Sequence, residues 1–171
     1  MRTRNIILYA LCLLAAGIGP MSASTPQKAK ADRYGVRESA PVELLSKKKQ
    51  DGHKITFRCR ITRYDDKYLL LAKILKNDSA MHVVRPGVKF FLSDGDSVTL
   101  KAERPAACCS SWADGRWYNT SFKLDTADVE KLTEADILSV IIPFYGGVVS
   151  RKTVPGRERS FREQLQSIRE D

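Results

Sequence analysis

In the run "KITFRCRIT", residues 54–62, Ile55, Phe57, Cys59 and Ile61 alternate with Lys54, Thr56, Arg58, Arg60 and Thr62. A period of two places the apolar set on one face of an extended strand and the polar set on the other, which a helix cannot do. The pattern returns in "RWYNTSFKL", residues 116–124, where Tyr118, Thr120, Phe122 and Leu124 face one way and Trp117, Asn119, Ser121 and Lys123 the other. "RYDDK" reads as a turn, and "YLLLAKIL", residues 68–75, has the length and apolarity of a buried strand. "VKFFLSDGDSVTLKA" is a hairpin, in which Gly95 between Asp94 and Asp96 supplies the positive φ of a tight turn. Residues 137–144 are rich in β-branched side chains, Gly146 and Gly147 turn the chain, and residues 148–154 pair back.

Two helices complete this reading. Asp125 is placed to cap a helix over residues 127–135 whose Val129 and Leu132 face a sheet. Ser160 and Glu163 have the spacing of a capping box ahead of a stripe of Phe161, Leu165 and Ile168. That last helix is expected to cover a sheet edge. Six or seven strands with two short helices predict a mainly β chain, an antiparallel sandwich or a partly open barrel. We divide it into a signal peptide (1–23), a flexible basic linker (24–51), a β-sandwich-like domain (52–156) and a C-terminal amphipathic helix (157–171). The apolar cluster Val42, Leu44 and Leu45 offers the linker one docking point, as a strand or a helical turn.

Arg2 and Arg4 precede a short apolar run over residues 6–16, then Gly19, Pro20 and the small residues Ser22, Ala23 and Ser24. This is the layout of a cleaved secretory signal, too short for a membrane span of roughly 20 residues. Cys12 falls within it. A periplasmic or secreted monomer with no transmembrane segment is the expectation. Without residues 1–23 the chain keeps 27 Lys and Arg against 20 Asp and Glu. The surplus sits at the flanks: residues 28–60 carry ten basic and four acidic side chains, residues 61–150 eleven and twelve. A nucleic-acid partner would call for a basic, aromatic-studded face on the body, so none is expected. Basic flanks instead suit an anionic polymer or surface of the cell envelope.

The segments "FFLSDGDSVTL" and "YNTSFKLDTADVEKLTEADILSVIIP" resemble a pattern in small secreted proteins of the Bacteroidetes, across residues 88–143. The resemblance implies a β-rich fold and an envelope location. It carries over no activity and no catalytic residue.

"PAACCSSWADGRWYNTSF", residues 105–122, holds the chemistry worth weighing. In an exported chain Cys59, Cys108 and Cys109 are candidates for a disulfide or thiol role. Adjacent Cα atoms about 3.8 Å apart suit a bridge poorly, since disulfides span roughly 4.4 to 6.8 Å. If the segment is extended, its two thiols point to opposite faces, so one of them meets the inward Cys59 in a structural bridge and the other stays free. Three reduced, buried thiols are one alternative, and a redox or soft-metal site built on the three cysteines is another. His53 and His82 stand apart from them, and no metal or other cofactor is expected. Trp112, Arg116, Trp117 and Tyr118 are candidates for ligand contact, Trp117 foremost, against the plainer reading of packing and rim residues. An envelope hydrolase is the second alternative, but Asp65 with Asp66 and Asp94 with Asp96 occupy turns, where Asp is favoured for backbone reasons. The sequence therefore reads as a non-catalytic binding or interaction module of unknown ligand.

Overall fold

The computed structural model describes residues 30–31, 35–45, 55–77, 83–102, 105–112 and 115–169; of residues 30, 31 and 107–112 the backbone alone is described. Twelve strands and two helices follow in chain order: β1 (Lys30–Ala31), β2 (Arg37–Glu38), β3 (Val42–Leu45), β4 (Ile55–Tyr64), β5 (Lys67–Lys76), β6 (Val83–Val84), β7 (Val88–Leu92), β8 (Ser97–Leu100), β9 (Ala106–Trp112), β10 (Gly115–Leu124), α1 (Thr126–Glu134), β11 (Ile137–Phe144), β12 (Gly147–Lys152) and α2 (Ser160–Arg169). The fold is mainly β, with two antiparallel sheets and no closed barrel. No described helix is long and apolar enough to cross a membrane.

The larger sheet runs β2, β4, β5, β10, β9, with β3 also on β4 and β1 on β2. The smaller sheet is built on β11, flanked by β12 on one side and by β7 and β6 on the other, with β8 beyond β7. Short β6 also pairs with the start of β9 and so joins the sheets along one border. On the opposite border a hydrogen bond, Val154 N to Leu44 O at 2.9 Å, links the chain beyond β12 to β3. Between the sheets lie the inward halves of the alternating strands: Phe57, Ile61, Leu70, Ile74, Phe90, Tyr118, Phe122, Val140 and Ile142 are all essentially inaccessible. Phe90 bridges the layers, its ring centroid 5.9 Å from that of Phe57 and 5.3 Å from that of Phe161. Such aromatic contacts add about 0.5–1.5 kcal/mol beyond area burial.

The alternation in β4 and β10 lies where the sequence puts it. β5 alternates too, with Leu70, Ala72 and Ile74 buried while Leu69 is 42% exposed, so it is half-buried rather than enclosed on both faces. Asp65, at φ 52, makes the two-residue turn between β4 and β5 with Asp66. Gly95, at φ 89, turns β7 into β8. Asp125 accepts from Asp128 N and donates its own N–H to the Asp128 carboxylate, a capping box that starts α1 and buries Val129 and Leu132. Ser160, expected as a cap, is instead the first helical residue of α2, with Glu163 N already donating to Arg159 O.

Residues 35–45 correct the expectation of a flexible linker over 24–51. β2 and β3 lie end to end along β4, and Leu44 and Leu45 enter the core at 0% and 2% exposure. Apolar burial of that extent outweighs the entropy of a loose tether. At the break between them, Ser39 N donates to Ile61 O while Ile61 N donates to Ser39 Oγ, 2.9 Å away. Gln164 of α2 then donates to Ala40 O at 2.7 Å and to Cys59 O at 3.3 Å. α2 thus satisfies carbonyls at the gap in the edge strand, and Arg63 Nη1 donates to Ile168 O at the end of that helix.

Candidate functional site

β4, β5 and β10 are long neighbouring strands, and their register aligns outward side chains in rows. Arg58, Lys73 and Asn119 form one row; Arg60, Leu71 and Ser121 form the next. With Pro41 at the rim, these residues line an open trough of about 580 Å³ on the outer face of the larger sheet, floored by Cys59, Ala72 and Thr120. Its β3 and β2 side is held by two ion pairs, Arg58 to Glu43 at 3.0 Å and Arg60 to Glu38 at 2.8 Å. Each exposed pair contributes about 0–1 kcal/mol, so their effect is to orient the guanidinium groups rather than to hold the fold. An arginine has five N–H donors, and one carboxylate leaves several for a ligand. Lys73 stands exposed between the arginines and Asn119.

Trp117 lies on the same face as Asn119, one row further along β10 and opposite Leu75 of β5. It is half-buried, whereas Leu75 is 2% exposed. The strand start beside it requires glycine: at φ 134, a Cβ on Gly115 would meet Asn77 Cα and Lys76 O at 2.8 Å. Tyr118 faces the core at 0% exposure with its ring 6.0 Å from Phe144, so it is a packing residue and not a ligand contact. Arg116 has the inward parity of Tyr118 and is half-buried, away from the trough face. The backbone of Trp112 ends β9 opposite Gly115; its side chain lies outside the described residues.

The cysteines need a larger correction. Cys59 is a free thiol, 2% exposed, and burial pushes its pKa far above the ordinary thiol range. A thiol held neutral there is neither a nucleophile nor a metal ligand. The expected bridge fails on topology: β5 and β10 stand between β4 and β9, a lateral separation of about 14 Å at usual strand spacing, where a disulfide tolerates roughly 7 Å between Cα atoms. The register also shifts between Trp117, opposite Ser110, and Tyr118, opposite Cys108, so Cys109 is the extra residue of a β-bulge. Simple alternation, on which the assignment of one inward and one outward thiol relied, does not hold across a bulge. The side chains of Cys108 and Cys109, like His53 and His82, lie outside the described residues.

The carboxylate pairs occupy turns. Asp94 Oδ1 accepts from Asp96 N, and Asp96 is bound by Lys131, whose hydrogen bond holds the Asp96 carboxyl below the usual carboxylate range. Lys131 is raised in turn by the same bond. Burial raises Asp128, in keeping with its place in the α1 capping box. Among the described residues, no group of three His, Cys, Asp or Glu is placed to hold a metal ion. Compared with known proteins, the chain matches no family model, no curated protein and no solved structure.

The trough residues Arg58, Arg60, Lys73, Asn119 and Ser121 are those that reasoning along the sequence missed. The signal was the polar half of each alternating strand. What the sequence lacked was the pairing of β5 with β10, which brings residues 71 and 121 side by side.

Proposed function

We propose that this is an exported, non-catalytic binding module of the cell envelope that holds an acidic oligosaccharide along the outer face of the larger sheet. The observation carrying the reading is the trough itself, in which Lys73 and two pre-oriented guanidinium groups stand over Leu71 beside Asn119 and Ser121. Cations meet the carboxylates of such a ligand, the amide and hydroxyl exchange hydrogen bonds with its hydroxyls, and Trp117 offers a ring at one end. Arg, Lys, Asn and Ser supply the charge and hydrogen bonds that retain such a ligand. The N-terminal pattern of Arg2, Arg4 and the apolar run after them supports export.

Titration of the intrinsic tryptophan fluorescence with oligogalacturonate, and with a neutral glucan oligomer as control, tests this. Saturable binding of the acidic oligomer alone is expected, in about the micromolar to millimolar range for a few exposed charge contacts, and weaker at high salt. Equal response to both oligomers, or none, would contradict it.

A further inference from the structure

The outer face of the smaller sheet has a different chemistry. No Asp or Glu occurs in residues 83–92 or 137–152, which form β6, β7, β11, β12 and the turns joining them, yet they contain Arg85, Lys89, Arg151 and Lys152. β4, β5 and β10 of the larger sheet are free of acids too, so what sets this face apart is the exposed apolar groups that accompany its cations. Strand register sets Ile141 between Lys89 and Ser150, and Pro143 beside Val148, on the outward side. At the hairpin between β11 and β12, Tyr145 is 67% and Val148 66% exposed, the most exposed large apolar side chains among the described residues. Arg85 lies over the Tyr145 ring at 5.4 Å, held there by Arg85 N donating to Pro143 O and Tyr145 N to Val83 O. Lys89 lies over Phe91 at 4.8 Å. The acidic groups of this half, Asp94, Asp96 and Asp136, gather at the opposite end of the sheet, where Lys131, Arg159 and Arg162 neutralise them.

We propose that this hairpin end docks the protein on an anionic lipid bilayer, with Tyr145 and Val148 entering the headgroup layer and Arg85 and Lys89 meeting lipid phosphates. Two features fix the occupant. Exposed apolar side chains beside two cations, with no carboxylate at the same end among the described residues, complement a surface that is negative outside and apolar beneath. A tyrosine with its hydroxyl outward suits the layer where one end is wet and the other apolar. A soluble polyanion would leave Val148 in water, and a second copy would set Arg85 and Lys89 against their own like charges.

The test is co-sedimentation of the full chain with vesicles of phosphatidylcholine containing a minority of phosphatidylglycerol, and with phosphatidylcholine alone. Binding to the anionic vesicles only is expected. The double change Tyr145→Ser with Val148→Ser, both exposed positions that leave the fold intact, should weaken it by about tenfold. Arg85→Gln with Lys89→Gln should weaken it by at least about tenfold, and Lys123→Gln on the far sheet by no more than about twofold. Binding unchanged in the Tyr145 and Val148 variant would assign the attraction to the basic flanks and overturn the proposal. So would absence of binding, or self-association lost in that variant without vesicle binding.

Discussion

The two outer faces of the sandwich follow the same strand alternation and present opposite surfaces. In the trough of the larger sheet, cations come with carboxylates: Arg58 with Glu43, Arg60 with Glu38, with Lys73 between them. On the smaller sheet, Arg85 and Lys89 stand on aromatic rings, and no described residue of the hairpin end is acidic. A paired guanidinium is fixed in direction and suits one ligand geometry, whereas a cation beside exposed apolar groups suits an extended surface. The difference teaches that a mildly basic chain can divide its charge between a shaped site and an adhesive one.

Adjacent residues of β10 offer the sharpest break of that account. Tyr118→Ala removes a fully buried ring and should cost about 3–5 kcal/mol in denaturant unfolding, whereas Trp117→Ala should cost less and lower oligogalacturonate affinity instead. Comparable losses of stability at both positions would blur the division between core and outer face. Next in size, Lys73→Glu should weaken oligogalacturonate about tenfold or more, by removing one charge contact and adding a repulsion, and leave vesicle binding nearly unchanged. A matching loss on vesicles would mean that only net charge counts.

Cys59 supplies a third test, of the floor between trough and core. Its thiol should resist a thiol reagent in the folded protein and react on unfolding. Because its folded-state pKa is raised, its contribution to stability is complete below the unfolded thiol pKa and is lost as pH rises above it. Rapid modification of Cys59 under native conditions would contradict the burial. The smallest effect belongs to the exposed Lys131 and Asp96 pair. Asp96 is depressed in the folded state, so its contribution is present above the unfolded carboxylate pKa and disappears as pH falls through the lower folded value. Lys131→Gln should therefore lower the melting temperature slightly at neutral pH and not at all in strong acid; a difference that persists in acid would deny the electrostatic origin.

The strands were legible because a period of two is a local property, and so were Asp125 as a cap and Gly95 as a turn. Of the edge strands, β3 was legible only as an apolar cluster able to dock as a strand or a helical turn, and β2 was not, since a two-residue strand carries too little alternation. The disulfide expectation failed because inward orientation does not tell which strands are neighbours; β5 and β10 part Cys59 from β9. The trough was hidden for the same reason, and Tyr118 counts as a ligand-contact candidate only by its ring, since its parity already places it with Phe122 in the core. Arg85 and Tyr145 were visible in the sequence, but only the pairing of β6 with β11 brings them together at one end of the sheet.

The most direct test of the two-face account is amide NMR of the isotopically labelled protein titrated with oligogalacturonate. The account predicts shift changes at Arg58, Arg60, Lys73, Asn119 and Ser121 and none at Arg85, Tyr145 or Val148. Changes centred on the β11–β12 hairpin, or spread evenly over every basic residue, would contradict it.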